Sequence, residues 1–404
     1  MKNLIGFRIR QARLAQGLSQ QTLCRGVCAV SYLSKIEQGQ AEPGADIVRL
    51  LFQRLGIAYE DDPVFLEENR ALLRTFFERM LQDRPCPEEA EALRARGERL
   101  DHSPLCLQYR LALCWRGNPA EIEAQLPRLT PYADYMEGKT RFLYELMLGW
   151  HAPLEEALVH LRRAEDLRPC AAVSRAAAAR LYQEGRYQEA LPHCAQGYDR
   201  AAREGSVPLM WALSFTEANC YANLFNHPLM LHAFERAAAL AHGDPAALAE
   251  IDYNIGASFL EKGRYPDALP RLERARQVLC APDGGAEADR QALIYHKLAI
   301  CLMELGRGDE AARLLAEGRR AADGLPEIYG RMLRAAELRL DPRHDDNDEY
   351  FALLRALCGA LKGELHYGFR QFHLRFLLEA LEHRRLYKEA AQLLRETSPM
   401  FSDN

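Results

Sequence analysis

Three stretches of the chain repeat one spacing of small residues. A small residue is followed after seven positions by Gly, after twelve by Ala, after sixteen by a larger apolar residue and after nineteen by another small one. The pattern reads Ala178, Gly185, Ala190, Cys194, Gly197, then Gly256, Gly263, Ala268, Leu272, Ala275, then Ala299, Gly306, Ala311, Leu315, Gly318. Small residues let two antiparallel helices approach closely, and the Gly makes the turn between them. Such a hairpin buries its apolar side only against its neighbours, so the spacing demands a stack. Weaker copies carry Ala157 and Ala390. The five alanines step by 33, 78, 43 and 79 residues, and the two long steps are each two units of about 39. Their missing middles fall near Leu224–Glu235 and Asn347–Ala356.

Helix is the only regular structure that fits elsewhere. Apolar residues recur at three- and four-residue intervals, as in Leu72, Leu73, Phe76, Phe77, Met80 and Leu81. Runs of Val, Ile and Thr are almost absent. The expected class is all-α. At 404 residues the chain is long enough for two or three domains. No apolar run reaches the ~18–20 residues of a membrane helix, and residues 1–8 lack the features of a secretory leader, so a cytoplasmic address is expected. The eleven cysteines are scattered without a Cys-x-x-Cys, which argues for buried reduced thiols and against disulfides or a metal. Cys24 and Cys28 are expected on one helix.

The first 60 residues read differently. They carry eight Lys and Arg against four Asp and Glu, net +4, leaving −9 for the rest of a chain whose total is −5. A basic head on an acidic body is expected where only the head meets a polyanion. Helices are expected at 4–16, from Gln20 to about Gly26, at Val30–Gln38 and at Asp46–Leu55, with Ser19 capping the second. Gly17, Gly39 and Gly56 stop the first, third and fourth. The stretches Arg13-Leu14-Ala15-Gln16-Gly17-Leu18-Ser19-Gln20 and Ser34-Lys35-Ile36-Glu37-Gln38-Gly39 resemble the helix-turn-helix of lambdoid phage repressors, the XRE family. That resemblance implies an ion pair between Arg13 and Glu37 tying the first helix to the third.

A major groove about 12 Å wide admits one helix, and base edges are read from its first turns. Here those turns offer Val30 for a thymine methyl, Ser31 for any base, Tyr32, and Lys35 for guanine O6 and N7. Tyr32 has two readings, packing or a phosphate contact. Gln20 and Arg25 are expected on phosphates.

Beyond the head, Pro63 to Gln82 reads as one amphipathic helix, and Pro85 and Pro87 break the chain. The expected divisions are 1–60 as a helix-turn-helix domain, 61–84 as a linker helix and 85–404 as the repeats. The words Gly185-Arg186-Tyr187-Gln188-Glu189-Ala190, Gly263-Arg264-Tyr265-Pro266-Asp267-Ala268 and Gly306-Arg307-Gly308-Asp309-Glu310-Ala311 resemble a stretched tetratricopeptide repeat. About six or seven hairpins would fit in a right-handed α-solenoid. The repeat phase puts Arg175, Tyr182, Asn219, Asn223, Tyr253, Asn254, His296, Lys297 and Arg375 on the first helices, which line the concave face. Asn is a poor helix former, so three of them on adjacent first helices invite a peptide-binding reading, since an amide matches a peptide backbone. Surface or interhairpin Asn is the other reading. His296 and Lys297 could take a carboxylate or simply be solvated.

A phage-type helix-turn-helix, a linker helix and a stretched repeat array together resemble the Gram-positive peptide-pheromone receptors, the group containing Rap, Rgg, NprR, PlcR and PrgX. The resemblance implies a quorum-sensing transcription regulator. It would bind a double-stranded DNA operator and a short signalling peptide, as a homodimer, with no cofactor and no membrane. Leu72, Phe76 and Met80, with Phe369, Phe372 and Phe376, are the expected dimer contacts. Repeats that bind a protein partner instead of a peptide are the alternative. An enzyme is not expected, because the chain has no Gly-rich phosphate loop, no paired metal-ligand His and no nucleophile elbow. The chain departs from typical members in its wealth of Ala, Arg and Cys, and its ligand does not follow from the family.

Overall fold

The computed structural model describes residues 4–116, 119–282, 286–360 and 367–397, without the side chains of 116, 119–121, 360, 367–371, 396 and 397. Phe369 lies outside the described side chains. Among the described residues there are helices and turns and no strand. The chain forms two compact units, residues 1–177 with 199–209, and residues 178–198 with 210–404.

The first unit begins with α1 (Leu4–Ala15), α2 (Gln20–Cys24), α3 (Val30–Glu37) and α4 (Ala45–Arg54). Ser19 caps α2 by accepting the Thr22 amide at 3.0 Å. Cys24 ends α2 and Cys28 sits in the following turn, so the two are not on one helix. The turn is forced there because Gly26 takes φ +73°. Ile9, Leu23, Leu33, Ile36, Val48, Leu51, Phe52 and Leu55 close a small core. Gly6 is buried where α1 crosses α3, and a Cβ there would lie 1.9 Å from the Ile36 carbonyl oxygen.

α5 (Pro63–Leu81) starts at the expected proline, and the Asp62 side chain caps it by accepting the Val64 amide at 3.2 Å. It does not stand free. Phe65, Leu66, Leu73, Phe76 and Phe77 are buried with the helices that follow. These are α6 (Pro87–Ala95), α7 (Gly97–Asp101), α8 (Cys106–Arg116), α9 (Pro119–Leu129), a 3-10 turn at Thr130–Tyr135, α10 (Gly138–His151) and α11 (Leu154–Leu167). The four-helix head is fastened to them. The Arg8 guanidinium donates to the Ser103 and Asp101 carbonyls at 2.7 and 2.8 Å. Phe7 packs on Tyr132 and Tyr135, and Arg99 pairs with Glu60 at 2.6 Å. Asp101 in turn is held by Arg110 and Arg128.

The division between units falls within α12 (Ala171–Gln183), α13 (Tyr187–Glu204) and α14 (Val207–Asn223). The second unit continues with α15 (His227–Leu240), α16 (Pro245–Glu261), α17 (Tyr265–Leu279), α18 (Ala288–Glu304), α19 (Gly308–Ala321), α20 (Glu327–Leu338), α21 (Asp348–Ala360), α22 (Tyr367–His383) and α23 (Tyr387–Thr397). The small-residue spacing is what lets these pack. A Cβ on Gly256 would fall 2.9 Å from Leu272 Cγ, and one on Gly318 would fall 3.0 Å from Leu333 Cδ2 and from Tyr295 Cβ. Ala190, Ala268 and Ala311 are wholly buried.

The two gaps in the repeat spacing are filled by α15 and α21. Gly185, Gly263 and Gly306 turn their hairpins at φ +71° to +78°. Before α15 the same left-handed turn is made by Phe225 at φ +57°, and before α23 by Arg385 at φ +58°. Before α21 the chain uses a 3-10 turn at His344–Asp346 instead.

The expected dimer contacts need correcting. Phe76, Phe372 and Phe376 are 1–3% exposed, spent inside the chain and not offered to a second copy. All eleven cysteines are free, nine of them buried, with Cys28 and Cys280 partly exposed.

Candidate functional site

The head presents one polar face. Leu33, Ile36 and Glu37 point α3 into the core, which leaves Val30, Ser31, Lys35 and Gln38 outward. Val30 is 43% exposed at the first turn, an apolar side chain in water with no core to justify it. Arg13 meets Glu37 in a bidentate pair, Nε to Oε1 at 2.7 Å and Nη2 to Oε2 at 2.8 Å. That pair fixes α3 against α1. Gln20 is drawn into it, donating its amide to Glu37 Oε2 at 2.8 Å, so part of its side-chain capacity is spent inside. Tyr32 is half-buried, with its hydroxyl 3.4 Å from the Glu42 carbonyl, which favours packing. Arg25 is exposed just past α2.

In the second unit α14, α16 and α18 line a cleft of about 310 Å³. Each helix offers one face at spacings of three, four and seven. These are Phe215, Asn219, Ala222 and Asn223, then Tyr253, Asn254, Ala257, Ser258 and Glu261, then Arg290, Leu293 and Lys297. Tyr182 completes the wall. Six residues read from the repeat phase, Tyr182, Asn219, Asn223, Tyr253, Asn254 and Lys297, thus share one space.

The asparagines are partly engaged. Asn223 donates to the Asn219 carbonyl and Asn254 to the Glu250 carbonyl, each at 2.8 Å. This bond to the carbonyl four residues back is how a helix tolerates such a side chain, and it fixes the rotamer. Asn223 also hydrogen-bonds Tyr182. Each amide has two N–H donors and an acceptor oxygen, so capacity remains. Burial pushes the Tyr182 phenol up, and that of Tyr253 to about 12, so both stay neutral donors.

Two cations sit on the wall. Arg290 pairs with Glu250, its Nε 3.0 Å from Oε1, and lies 4.0 Å over the Tyr253 ring. Lys297 Nζ reaches Glu261 Oε1 at 3.0 Å and lies 3.3 Å from the centre of the Phe372 ring. Burial pulls the Lys297 ammonium down, and Glu261 opposes that.

His296 is not on the cleft wall. It is buried against His373, ring centres 5.2 Å apart, and burial with nearby His373, Lys297 and Arg375 pushes it well below the ordinary histidine range. It is no solvated cation. Arg175 belongs to the first unit, where it lies 5.7 Å over Trp150 and lines a different cleft, of about 250 Å³, with Met80, Asp83 and Trp115. Arg290, Glu261 and Phe215 were missed from sequence. The signal was present: Arg290 stands seven residues before Lys297, two helical turns along one face.

Among the described residues no helix is long and apolar enough to cross a membrane, and no group of His, Cys, Asp and Glu could hold a metal ion.

Residues 9–61 match the helix-turn-helix family and residues 247–324 the tetratricopeptide repeat family. No curated protein matches the chain significantly in sequence. Among solved structures, the apo form of the quorum sensor NprR from B. thuringiensis aligns at a TM-score of 0.59 and 16% identity, over 81% of this chain and 97% of that one. Rap protein complexed with Competence and Sporulation Factor aligns at 0.57 and 14%, over 81% of this chain and 99% of that one. The likeness fixes the fold: a helical repeat protein that here carries a helix-turn-helix at its N-terminus.

Proposed function

We propose that a chain joining this helix-turn-helix to tetratricopeptide repeats is a cytoplasmic transcription regulator and not an enzyme. It binds a double-stranded DNA operator through α3, and its repeats hold a short signalling peptide that alters operator affinity. Residues 1–60 serve as the reading head, 61–84 as the connecting helix and 85–404 as the sensor. The observation that carries the reading is the cleft, where three asparagines, two tyrosines and a lysine from successive first helices line one space. The fold shared with NprR, a quorum sensor, and with Rap, solved with a signalling factor, supports the same class of ligand. A cleft of about 310 Å³ suits an extended segment better than a folded domain.

Ser31, Lys35 and Val30 are the proposed base readers, with Arg25 and the N-terminus of α2 at Gln20 on phosphates. The proposed working form is a homodimer, because one head gives too small an interface for site-specific affinity. With Phe372 and Phe376 inside the chain, its contacts draw on the exposed Leu386, Tyr387 and Leu394 of the last hairpin. Differential binding of peptide to the two dimer states couples it to the operator.

The test is recovery of bound host DNA fragments, followed by anisotropy on a recovered fragment with peptides encoded beside it. The double change Asn219→Ala, Asn223→Ala should abolish the peptide response and leave peptide-free DNA binding intact. An unchanged response would make these asparagines structural and put the groove elsewhere.

A further inference from the structure

We propose that the cleft selects a ligand carrying a primary carboxamide, an Asn or Gln side chain, and that Asn219 and Tyr253 hold it. The inference rests on reading this cleft as the peptide site.

The polar residues of the cleft fall into two groups. The first is engaged within the chain. Asn223 bonds the Asn219 carbonyl and Tyr182, and Asn254 bonds the Glu250 carbonyl. Arg290 pairs with Glu250, and Lys297 with Glu261. The second group is Asn219 on α14 and Tyr253 on α16. They are 7% and 5% exposed, and both line the cleft. Among the described residues neither the Asn219 side-chain amide nor the Tyr253 hydroxyl has a hydrogen-bond partner, although Asn219 lends its backbone carbonyl to Asn223 and Tyr253 its ring to Arg290. A ligand that closes the cleft cuts both groups off from water, so it must supply the bonds itself.

Charge decides what supplies them. Burial pushes the Tyr253 phenol up to about 12, with Arg290 opposing and Glu250 and Glu261 adding to the rise. Surroundings that resist a phenolate also resist a carboxylate in the same place. An ammonium fares no better, because the Arg290 guanidinium already lies 4.0 Å over the Tyr253 ring. The entering group is therefore neutral.

Bonding capacity narrows the choice. Asn219 offers two N–H donors and an acceptor oxygen, and the Tyr253 hydroxyl adds a donor. A primary carboxamide pairs edge to edge with Asn219. Its N–H donates to Asn219 Oδ1 while its oxygen accepts from Asn219 Nδ2, and the second lone pair of that oxygen accepts the Tyr253 O–H. A trans peptide unit holds its N–H and C=O on opposite sides, so one backbone amide cannot close the same pair. A ligand hydroxyl has only one proton to give and no second edge.

The experiment uses the full chain and three libraries of short random peptides with free termini, all built from Gly, Ala, Val, Leu and Phe. One adds Asn and Gln, the second adds Asp and Glu, and the third adds Met. The Asn and Gln library should bind about ten- to a hundredfold more tightly than the other two. Tyr253→Phe removes only the hydroxyl and should cut that advantage about five- to tenfold. Preference for either other library, or an advantage that Tyr253→Phe leaves untouched, would overturn the assignment. Equal affinity for all three libraries, lost in the Asn219→Ala, Asn223→Ala variant, would overturn the carboxamide and keep the cleft. No binding by any library, or binding indifferent to the asparagine pair, would overturn the cleft reading and this inference with it.

Discussion

Replacing Gly6 with Ala should dismantle the head while sparing the second unit. The new Cβ would stand 1.9 Å from the Ile36 carbonyl oxygen and 2.7 Å from its carbon. Both are backbone atoms, so no rotamer change relieves the contact. α1 and α3 must part by about 1 Å to reach the 3.0 Å below which Cβ atoms are essentially never found. Overpacking of this kind costs about 1–3 kcal/mol where side chains give way, and backbone gives way less. The shift falls beside Glu37, whose bidentate bonds to Arg13 at 2.7 and 2.8 Å hold the same two helices. A loss of about 3 kcal/mol is a large share of the stability of a core this small. Hydrogen exchange at the α3 amides should accelerate more than a hundredfold, and specific DNA binding should disappear. Gly330→Ala is the control, because Gly330 lies on the exposed face of α20, where a Cβ meets nothing within 4 Å and should stabilise by about 0.5–1 kcal/mol. Wild-type exchange and wild-type DNA affinity in the Gly6 variant would refute the packing argument.

Lys35→Ala or Ser31→Ala should cost about 1–3 kcal/mol on the specific site, whereas Arg25→Ala should weaken all sequences alike; anisotropy on operator and random duplexes distinguishes the two, and equal losses for Lys35→Ala deny it a base-reading role. Phe225→Gly should raise the melting temperature: a left-handed L-residue costs about 1–2 kcal/mol, more than the ~0.5–1 kcal/mol Gly loses to entropy, and the ring is 62% exposed. His296 has its folded pKa pushed below 6.5 by burial, so below pH 6.5 the unfolded chain binds the extra proton and stability falls. His296→Gln should flatten the urea-midpoint slope between pH 7 and 5, and an unchanged slope would place the titration elsewhere.

Much of this was legible in the sequence, for reasons that differ by residue. The head helices could be placed within about two residues because their stop signals are glycines at positive φ, which few other residues supply. The Asn and Tyr residues of the cleft could be named because repeat phase fixes which face of a first helix they share. α15 left no Gly mark because Phe225 makes its turn, and backbone strain of that kind carries no composition signal. His296 and Lys297 are adjacent and so point about 100° apart on a helix, and phase alone did not choose between them. The aromatic residues expected at a dimer surface have the spacing of any buried stripe. Spacing says that a face is covered and is silent on what covers it.

The two hydrogen bonds from Arg8 to the Ser103 and Asp101 carbonyls have a consequence for the operator. A head on a slack tether could straddle half-sites at many separations, trading reach for entropy. A head clamped at the base of its first helix cannot swivel, so its angle on the duplex is inherited from the helices that grip it. In a paired assembly the orientation of each reading helix then follows that of the first-unit helices that hold its head. One inserted base pair turns the far half-site by about a tenth of a helical turn. The clamp removes the play at the head that could absorb that rotation. The spacer between half-sites should thus be read as strictly as any base the protein touches, and Arg8→Ala should make the regulator tolerant of spacers that the wild type rejects.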